Sequence, residues 1–388
     1  MKKIQLFDVL VVYSHVIATS PSSFNISDIQ PFSFESGNEN YNTVYGYFLA
    51  ECKRNGIRAA FTTSSEIIDT GICKSYWVFE EEKNSWKKIN KKCFAPIIFD
   101  KFSPISRKAI RAREVLFATD ASIPFSDPYL LELFNDKLMT HEKLQKYSIP
   151  TVALEGSSTV AITKSLLSLQ QLKKNHDHTI DFSSQIIVKD RNGAGGNHIY
   201  KVHGSDTVKI KSILRDNLAL KFVIQPFILF DKGYSHKEQH GLTDIRLIFF
   251  NQKVVQAYIR IAKKDDFRCN EHKGGLLEYI ALKDIPKDII DKSKQILKSL
   301  QTKSSLYALD FIVSNNGNTF FMEGNTGPGL DWNESKKINE RKAKQLIHLI
   351  VEEFIQRTEI YALQAVSKIS LPEKMYLPVS QVLKIPSI

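Results

Sequence analysis

The chain has 388 residues, 43% hydrophobic and 24% charged, with 17 glycines and 13 prolines; this balance excludes a collagen-like, low-complexity or wholly disordered polypeptide and suggests two or three packed units. Lys and Arg outnumber Asp and Glu by 53 to 42, a formal charge of +11, which favours an anionic partner (nucleotide, acidic peptide or nucleic acid) without choosing among them. No apolar run approaches the ~20 residues that cross a bilayer, and Cys52, Cys73, Cys93 and Cys269 form no CxxC pair, so neither a zinc knuckle nor a disulfide framework is expected, and a reducing, cytoplasmic setting is.

Met1-Lys2-Lys3 precedes apolar residues, but Asp8 breaks the run a signal peptide needs, and 4–12 reads instead as one buried strand. The spacing then predicts a helix over 44–55 closed by Asn55-Gly56, a strand at 57–61, a surface hairpin of 75–79 with 86–89, an apolar strand at 95–99 and a helix over 107–118. This order describes an α/β unit of roughly 130 residues. A second unit opens near Asn135 with a helix over 136–147 that stops ahead of Pro150. It continues through a strand at 151–154, a helix at 164–174, a polar loop at 175–184 and a strand at 185–189. A glycine-rich loop at 190–197 leads to a strand at 199–202, a helix at 208–216 and a strand at 222–225. The third unit alternates apolar residues over 244–250, 253–261, 307–313 and 319–323, with turns at Asn251-Gln252 and Asn315-Asn316-Gly317-Asn318 and helices over 288–301 and 340–356. Residues from 371 carry three prolines and read as a wrapping or frayed tail. Lys87-Lys88 with Lys91-Lys92, and the cluster at 335–344, read as solvated faces; a nucleic-acid module would interleave stacking aromatics with its basic stripe.

Three groups of residues carry chemistry. Lys189 ends a strand directly before Gly193, Gly195 and Gly196, a setting in which backbone amides and a fixed cation approach phosphate oxygens, although a plain glycine-rich turn has the same spacing. A turn at 315–318 makes 307–313 and 319–323 antiparallel neighbours and sets Asp310 beside Glu323. With the Asn325 amide they form an oxygen set suited to Mg²⁺, whereas taken singly they are a strand-end acid and a capping residue. Arg246 and Arg260 sit on adjacent strands among apolar residues, each a planar fork for phosphate or carboxylate.

With these residues in place, 135–354 resembles an ATP-grasp ligase, and within that superfamily is most similar to the ribosomal-protein glutamate ligase and glutathione-synthetase-like branch. The resemblance rests on Asn135-Asp136-Lys137, Ile187-Val188-Lys189, Val223 to Ile228, Asp244-Ile245-Arg246 through Arg260 and Phe267 to Asn270 with Gly274-Gly275, Leu309-Asp310-Phe311, and Glu323 to Gly329. It implies an α/β fold with α+β lobes, two of them clasping ATP, preceded by an N-terminal α/β domain. The expected boundaries are 1–134 for that domain, 135–228 for the central nucleotide-lid lobe, 229–360 for the C-terminal lobe with the metal site, and 361–388 for the tail. It implies that Lys137, Lys189, Gly193, Gly195 and Gly196 hold phosphates. Gln225, Pro226, Phe227 and Ile228 would read adenine, with Asp231 at the ribose. Asp310, Glu323 and Asn325 would ligate Mg²⁺, as two ions and with Mn²⁺ as the alternative, while Arg246, Arg260 and Asn270 serve the reacting groups.

The implied activity is an ATP-dependent joining of a carboxylate to an amine through an acyl-phosphate, with release of ADP and phosphate. The substrates would be amino acids or peptides, acidic ones favoured by the charge, with no specific nucleic acid, no membrane, and homo-oligomer formation left open. Tag elongation or macrocyclisation of a peptide, a non-catalytic ATP-binding regulatory module and a salt-sensitive binder of acidic peptide or nucleic acid stand as alternatives. His198, His203, His236, His240 and His272 read as loop residues, His272 being the one a substrate would reach. Three departures from the family pattern stand out. Asp190 and Ala194-Gly195-Gly196 replace a proline and a serine-containing turn. Gly324 replaces the usual valine, which is expected to loosen packing. The segment 231–241 is longer and more charged, fitting a substrate lip or a disordered surface loop.

Overall fold

The computed structural model describes residues 4–25, 29–34, 37–237, 239–300, 302, 305–330, 332 and 336–369, with backbone alone at 272 and 364–369. The predicted tail from 371 and the first residue of the basic cluster at 335–344 lie outside these residues. Internal contacts divide the chain into two compact units, Met1–Phe99 with Val115–Ile123 and Lys344–Ile388, and Asp100–Glu114 with Pro124–Ala343.

In the first unit the predicted strand over 4–12 is broken into β1 (Gln5–Leu6) and β2 (Val9–Tyr13). Asp8 makes the break: its carboxylate accepts the Arg58 backbone N–H at 2.8 Å and pairs with the Arg58 guanidinium at 2.6 Å. Helix α1 (Asn40–Arg54) carries the chain to β3 (Ala59–Thr63), which runs parallel to β2, as a helical crossover requires. Short strands β4 (Ile67–Asp69) and β5 (Ile72–Cys73) follow. Then comes the predicted hairpin, β6 (Tyr76–Glu80) and β7 (Ser85–Ile89), closed by Asn84 in the left-handed region. Strands β8 (Cys93–Phe94) and β9 (Ile97–Lys101), helix α2 (Arg107–Leu116) and β10 (Ile123–Pro124) complete the first third of the chain, giving sheets ordered β1-β8-β5-β4 and β10-β9-β2-β3-β6-β7. The core is aromatic: Tyr45 and Phe48 of α1 meet Phe32, Phe61 and Phe99. The buried carboxylate of Glu66 is bonded by the hydroxyls of Ser20, Ser22 and Ser75.

The second unit opens with α3 (Pro128–Asn135), capped by the Asp127 carboxylate and started by Pro128 at its first position. Helix α4 (Lys137–Leu144) begins one residue later than the predicted span, because Asp136 is extended and accepts the Leu138 and Met139 N–H groups. Strand β11 (Val152–Leu154), α5 (Thr159–Lys174), β12 (Phe182–Asp190), β13 (Ile199–His203), α6 (Thr207–Asp216) and β14 (Phe222–Ile228) then make an antiparallel sheet ordered β11-β14-β12-β13. Ile162, Leu169, Ile210 and Ile213 of the two helices bury its Ile186, Val188 and Ile224. The predicted polar loop at 175–184 contains a short helical turn, and its Asp181 accepts hydrogen bonds from Asn316 and Asn318 at 2.6 and 2.9 Å.

The second sheet runs β17-β16-β15-β18-β19, from β15 (Thr243–Phe250), β16 (Lys253–Ile261), β17 (Leu276–Ile280), β18 (Leu306–Val313) and β19 (Thr319–Asn325). Helix α7 (Lys287–Leu300) packs Ile289 and Ile296 into the same core as Leu130, Leu133 and Phe134 of α3, and α8 (Lys337–Ile369) follows. All eight residues of β15 are buried, so polar side chains on it lie within the protein. The described part of 231–241 is exposed or half-buried and makes polar contacts: Asn315 accepts the Lys232 N–H at 2.8 Å and donates to Asp231 at 2.8 Å, and Lys237 pairs with Glu278 at 2.7 Å. No helix among the described residues is long and apolar enough to cross a membrane.

Candidate active site

A cavity open to solvent, about 830 Å³ with its mouth included, lies within the second unit, walled by both of its sheets. At one end are two lysines. Lys189 is the penultimate residue of β12, where alternation turns its side chain into the protein, and it is 4% exposed. Burial drives its ammonium down to about 8, partly opposed by the attraction of Glu323 and reinforced by the repulsion of Lys137. The ammonium donates no hydrogen bond to a described residue. Lys137, at the first position of α4, donates instead to the backbone carbonyls of Gly193 and Arg191; burial lowers its pKa as well.

The glycine-rich loop between β12 and β13 is tied down from both sides. Arg191 forks onto Asp136 at 2.6 Å, and Asn192 donates to the Asn135 carbonyl, fixing the loop to the start of α4. Arg268 donates to the Gly196 carbonyl and Lys273 to the Asn197 side chain at 2.7 Å. Gly196 has φ +75°, and a Cβ there would lie 2.8 Å from Asn270 Oδ1, so only glycine allows the approach. Asp190, standing where a proline is usual, accepts the Asn192 N–H at 3.0 Å and so shapes the same turn.

The middle of the cavity is an apolar slot built from both sheets: Ile149, Ile187, Phe227, Ile228, Ile312 and Met322. The β14 residues Gln225 to Ile228 form its edge, although the Gln225 amide is spent on Thr151 Oγ1 at 2.7 Å. Met322 and the next residue, Glu323, both face the cavity, which plain strand alternation forbids. A β-bulge explains it: Asp310 pairs with Glu323 and Phe311 with Phe321, leaving Met322 as the extra residue and re-aiming its neighbour.

At the acid end, Asp310 and Glu323 are register partners, as the turn predicts. The Glu323 carboxylate lines the cavity and accepts no hydrogen bond from a described residue. Asp310 is bound instead in a buried network of four charges. Arg246 forks onto it with two 2.6 Å bonds, and Arg260 adds a third at 2.7 Å while forking onto Asp244 at 2.8 and 2.9 Å. The ladder registers Arg246 opposite Asp310 and Asp244 opposite Arg260, which puts all four side chains on one face. Burial opposes ionisation of Asp310, but the two guanidinium groups outweigh it and hold the carboxyl below the usual range. Burial pushes Asp244 up to about 6, against the pull of Arg260. As a hard-cation site, the oxygen chemistry fits. Glu323 is uncommitted, Asp310 uses three of its roughly four acceptor positions, and Asn325 Oδ1 accepts one bond, from the Gly327 N–H. Among the described residues no group of three His, Cys, Asp or Glu could hold a metal, so the amide is needed.

Lys137, Lys189, Gly193, Gly195, Gly196, Gln225, Pro226, Phe227, Ile228, Asn270 and Glu323 thus share one cavity. Arg246, Arg260 and Asp310 stand beside it as the charge network. Asn325 caps the turn after β19, and Asp231 is bonded to Asn315 rather than lining the wall. The side chain of His272 lies outside the described residues. Sequence reasoning missed Asp244, Met322 and Cys269, which also line the wall; the Asp244-Ile245-Arg246 alternation carried a signal only for the first. Gly324 does not loosen the strand: a Cβ there would sit 2.4 Å from the ring of Phe134, which fills the space.

This arrangement matches known proteins. Residues 135–350 match the RimK-like ATP-grasp domain. The probable alpha-L-glutamate ligase of Histophilus somni (strain 2336) is 27% identical over 206 residues, 53% of this chain and 59% of that protein; its counterpart in Mannheimia succiniciproducens is 32% identical over 152 residues, 38% and 45% of the two. The chain therefore spans less than two thirds of the length of these relatives. Among solved structures, D-alanyl-alanine synthetase A from Vibrio cholerae aligns over 92% of this chain and 100% of its own at TM-score 0.55 and 12% identity. The macrocyclase MdnC of Microcystis aeruginosa, bound with precursor peptide MdnA, aligns over 90% and 99% at 0.51 and 12%. These likenesses are of fold, and they agree with the α/β architecture and its two antiparallel sheets around the cavity. ATP-grasp proteins use ATP and Mg²⁺, and with its match covering more than half its length the chain belongs to the RimK-like ATP-grasp family.

Proposed function

We propose that the chain is an ATP-dependent carboxylate–amine ligase that works through an acyl-phosphate in the cytoplasm. A carboxylate resists attack by an amine because its oxygen is a poor leaving group. Transfer of the γ-phosphoryl group of ATP to that oxygen yields ADP and an acyl-phosphate. Attack of the amine nitrogen on the acyl carbon then expels inorganic phosphate, forms the amide and gives the amine's proton to solvent. Such transfers need positioning and charge neutralisation rather than a protein nucleophile.

The apolar slot would take the adenine ring, and Lys189, Lys137 and the glycine loop the phosphates. Arg246 and Arg260, held rigid by Asp244 and Asp310, would present positive charge to the transferred group. Glu323, Asp310 and Asn325 would hold Mg²⁺, which when bound neutralises phosphate oxygens. The number of ions and the use of Mn²⁺ follow the family resemblance alone. The acid and amine substrates are amino acids or peptides, as the glutamate-ligase relatives and the peptide-bound MdnC suggest.

One observation carries the reading: a buried ammonium, Lys189, and a carboxylate, Glu323, face one cavity, close enough to attract, and neither makes a hydrogen bond or ion pair with a described residue. A phosphate bridged by a divalent cation satisfies both at once. The test is ADP release and product mass after incubation with ATP, Mg²⁺ and pools of amino acids and peptides. Glu323→Ala, which breaks no protein hydrogen bond, is expected to lower turnover at least ~100-fold, as loss of a direct charge contact does, while the protein stays folded by circular dichroism. Asp310→Asn should lose turnover together with stability, since it leaves two buried guanidinium groups short of charge, typically ~3–5 kcal/mol. Wild-type ADP release by Glu323→Ala would refute the reading. Nucleotide binding without ADP release under any substrate pool would favour a regulatory module instead.

A further inference from the structure

Helix α2 is the least buried helix in the structure for which every side chain is described: of its ten residues only Leu116 is buried. Its sequence, Arg107-Lys108-Ala109-Ile110-Arg111-Ala112-Arg113-Glu114, places four cations against one acid. One side of the helix is held. Arg113 pairs with the buried Asp100 at 2.8 Å, donates to the Phe102 carbonyl at 3.2 Å and stacks its guanidinium over the Phe102 ring at 5.2 Å. Asp100 in turn accepts the Ser126 N–H at 2.9 Å. The other side is open. Arg107, Lys108 and Arg111 are exposed, Arg111 pairing among the described residues with Glu114 of its own helix, and beside them stand Ile110 and, just before the helix, Ile105, 43% and 60% exposed. A surface helix normally turns its aliphatic residues inward. Here two aliphatic side chains are exposed in a segment rich in arginine and lysine.

The same segment reaches the acid end of the cavity. Lys101 donates to the carbonyls of Gly327 and Pro328 at 3.2 and 2.9 Å, in the turn that follows Glu323-Gly324-Asn325. Arg107 is six positions after Lys101, a span of at most ~20 Å. The surface of α2 therefore lies within a short extended peptide's length of the proposed site of chemistry.

We propose that the outer face of α2 docks an acidic polypeptide, whose Asp and Glu side chains pair with Arg107, Lys108 and Arg111 and whose apolar residue covers Ile105 and Ile110. The docked segment leads a neighbouring stretch toward the turn at Gly327-Pro328. The proposal rests on the ligase reading for its purpose, since it identifies the substrate as peptide-borne, but the surface can be measured without the reaction. Arginine forks recognise carboxylates, and the aliphatic pair supplies the apolar contact that charge alone lacks.

The test is fluorescence anisotropy of a labelled Glu/Leu-rich peptide on the full chain, without ATP, with a Lys/Leu-rich peptide and a single-stranded oligonucleotide as competitors. Binding of the acidic peptide, weakened about tenfold or more by R107E/K108E/R111E and by a rise in salt, and weakened several-fold by Ile110→Ser, supports the proposal. Nucleotide binding by both variants, unchanged from wild type, shows that the fold and cavity persist. Acidic-peptide affinity within twofold of wild type in the triple variant, or no binding by wild type, overturns it. Tighter binding of the oligonucleotide at the same residues overturns it in favour of nucleic acid. Loss of ADP release with peptide binding intact refutes the ligase reading and leaves the surface standing.

Discussion

An ammonium largely withdrawn from water destabilises the state that withdraws it unless an anion enters with it. Lys189 is in that position, its pKa driven down to about 8 by burial, while its unfolded value is near 10.5. Between those values the unfolded chain holds the proton and the folded chain does not. The penalty is therefore full below pH 8 and relieved as pH rises from 8 towards 10.5. Lys189→Met is expected to raise the melting temperature of the nucleotide-free protein at neutral pH and to abolish nucleotide binding; calorimetry with and without ATP checks both. In the wild type, ATP affinity should fall as pH rises through 8, because the Lys189 ammonium is lost. Equal stability of the variant and the wild type would show that Lys189 is not paying for its burial. This lysine was legible in the sequence because it stands between a strand and three glycines. Asp244 was legible only as an acid alternating with apolar residues, which looks like a solvated strand face; the register of β15 with β16 is what brings Arg260 onto it.

At the scale of elements, the hairpins, the glycine loop and most helices were readable from periodicity and turn residues; the structure moves most of their ends by a few residues but carries the last helix from its expected end at 356 to Ile369, into the span read as tail. The missed elements share a cause. Helix α3 is eight residues long and runs straight on to the cap of α4, so the Asp127-Pro128 start signal was hidden in what looks like a linker. Strand β17 is five residues beside Gly274-Gly275, and β5 and β8 are two residues each, too short to show a period. Packing between elements was invisible for a similar reason. That Gly324 makes room for Phe134 depends on α3 crossing β19 nearly two hundred residues later. Gly324→Val, the usual residue of the family pattern, is expected to destabilise the chain by about 1–3 kcal/mol through overpacking. Pairing it with Phe134→Leu should recover part of that loss, a coupling a double-mutant cycle measures in urea. Additive losses would mean that the ring is not what excludes the side chain.

For the whole molecule, long-range pairing decides what local pattern leaves open. Within the first unit, Phe354 of α8 packs on Phe48 and Phe99, and His348 bonds Glu51 at 3.2 Å although they stand 297 positions apart. No composition shift marks this return of the chain to its beginning. Net charge, by contrast, was read correctly as a number while its placement was not: the exposed cations of α2 became a distinct surface only when the helix was seen to bury so little of itself.

All four cysteines are free and buried, and burial raises each thiol above its ordinary pKa, Cys93 to about 12. A native molecule therefore offers almost no thiolate to an alkylating reagent, and labelling becomes a clock for opening. Cys52, Cys73 and Cys93 time the first unit, and Cys269, in the cavity wall, times the second. Peptide-resolved maleimide labelling should give two sets of rates, with ATP slowing modification of Cys269 alone. A single common rate, unmoved by nucleotide, would mean that the two halves open together and that the cavity's occupant does not guard its wall.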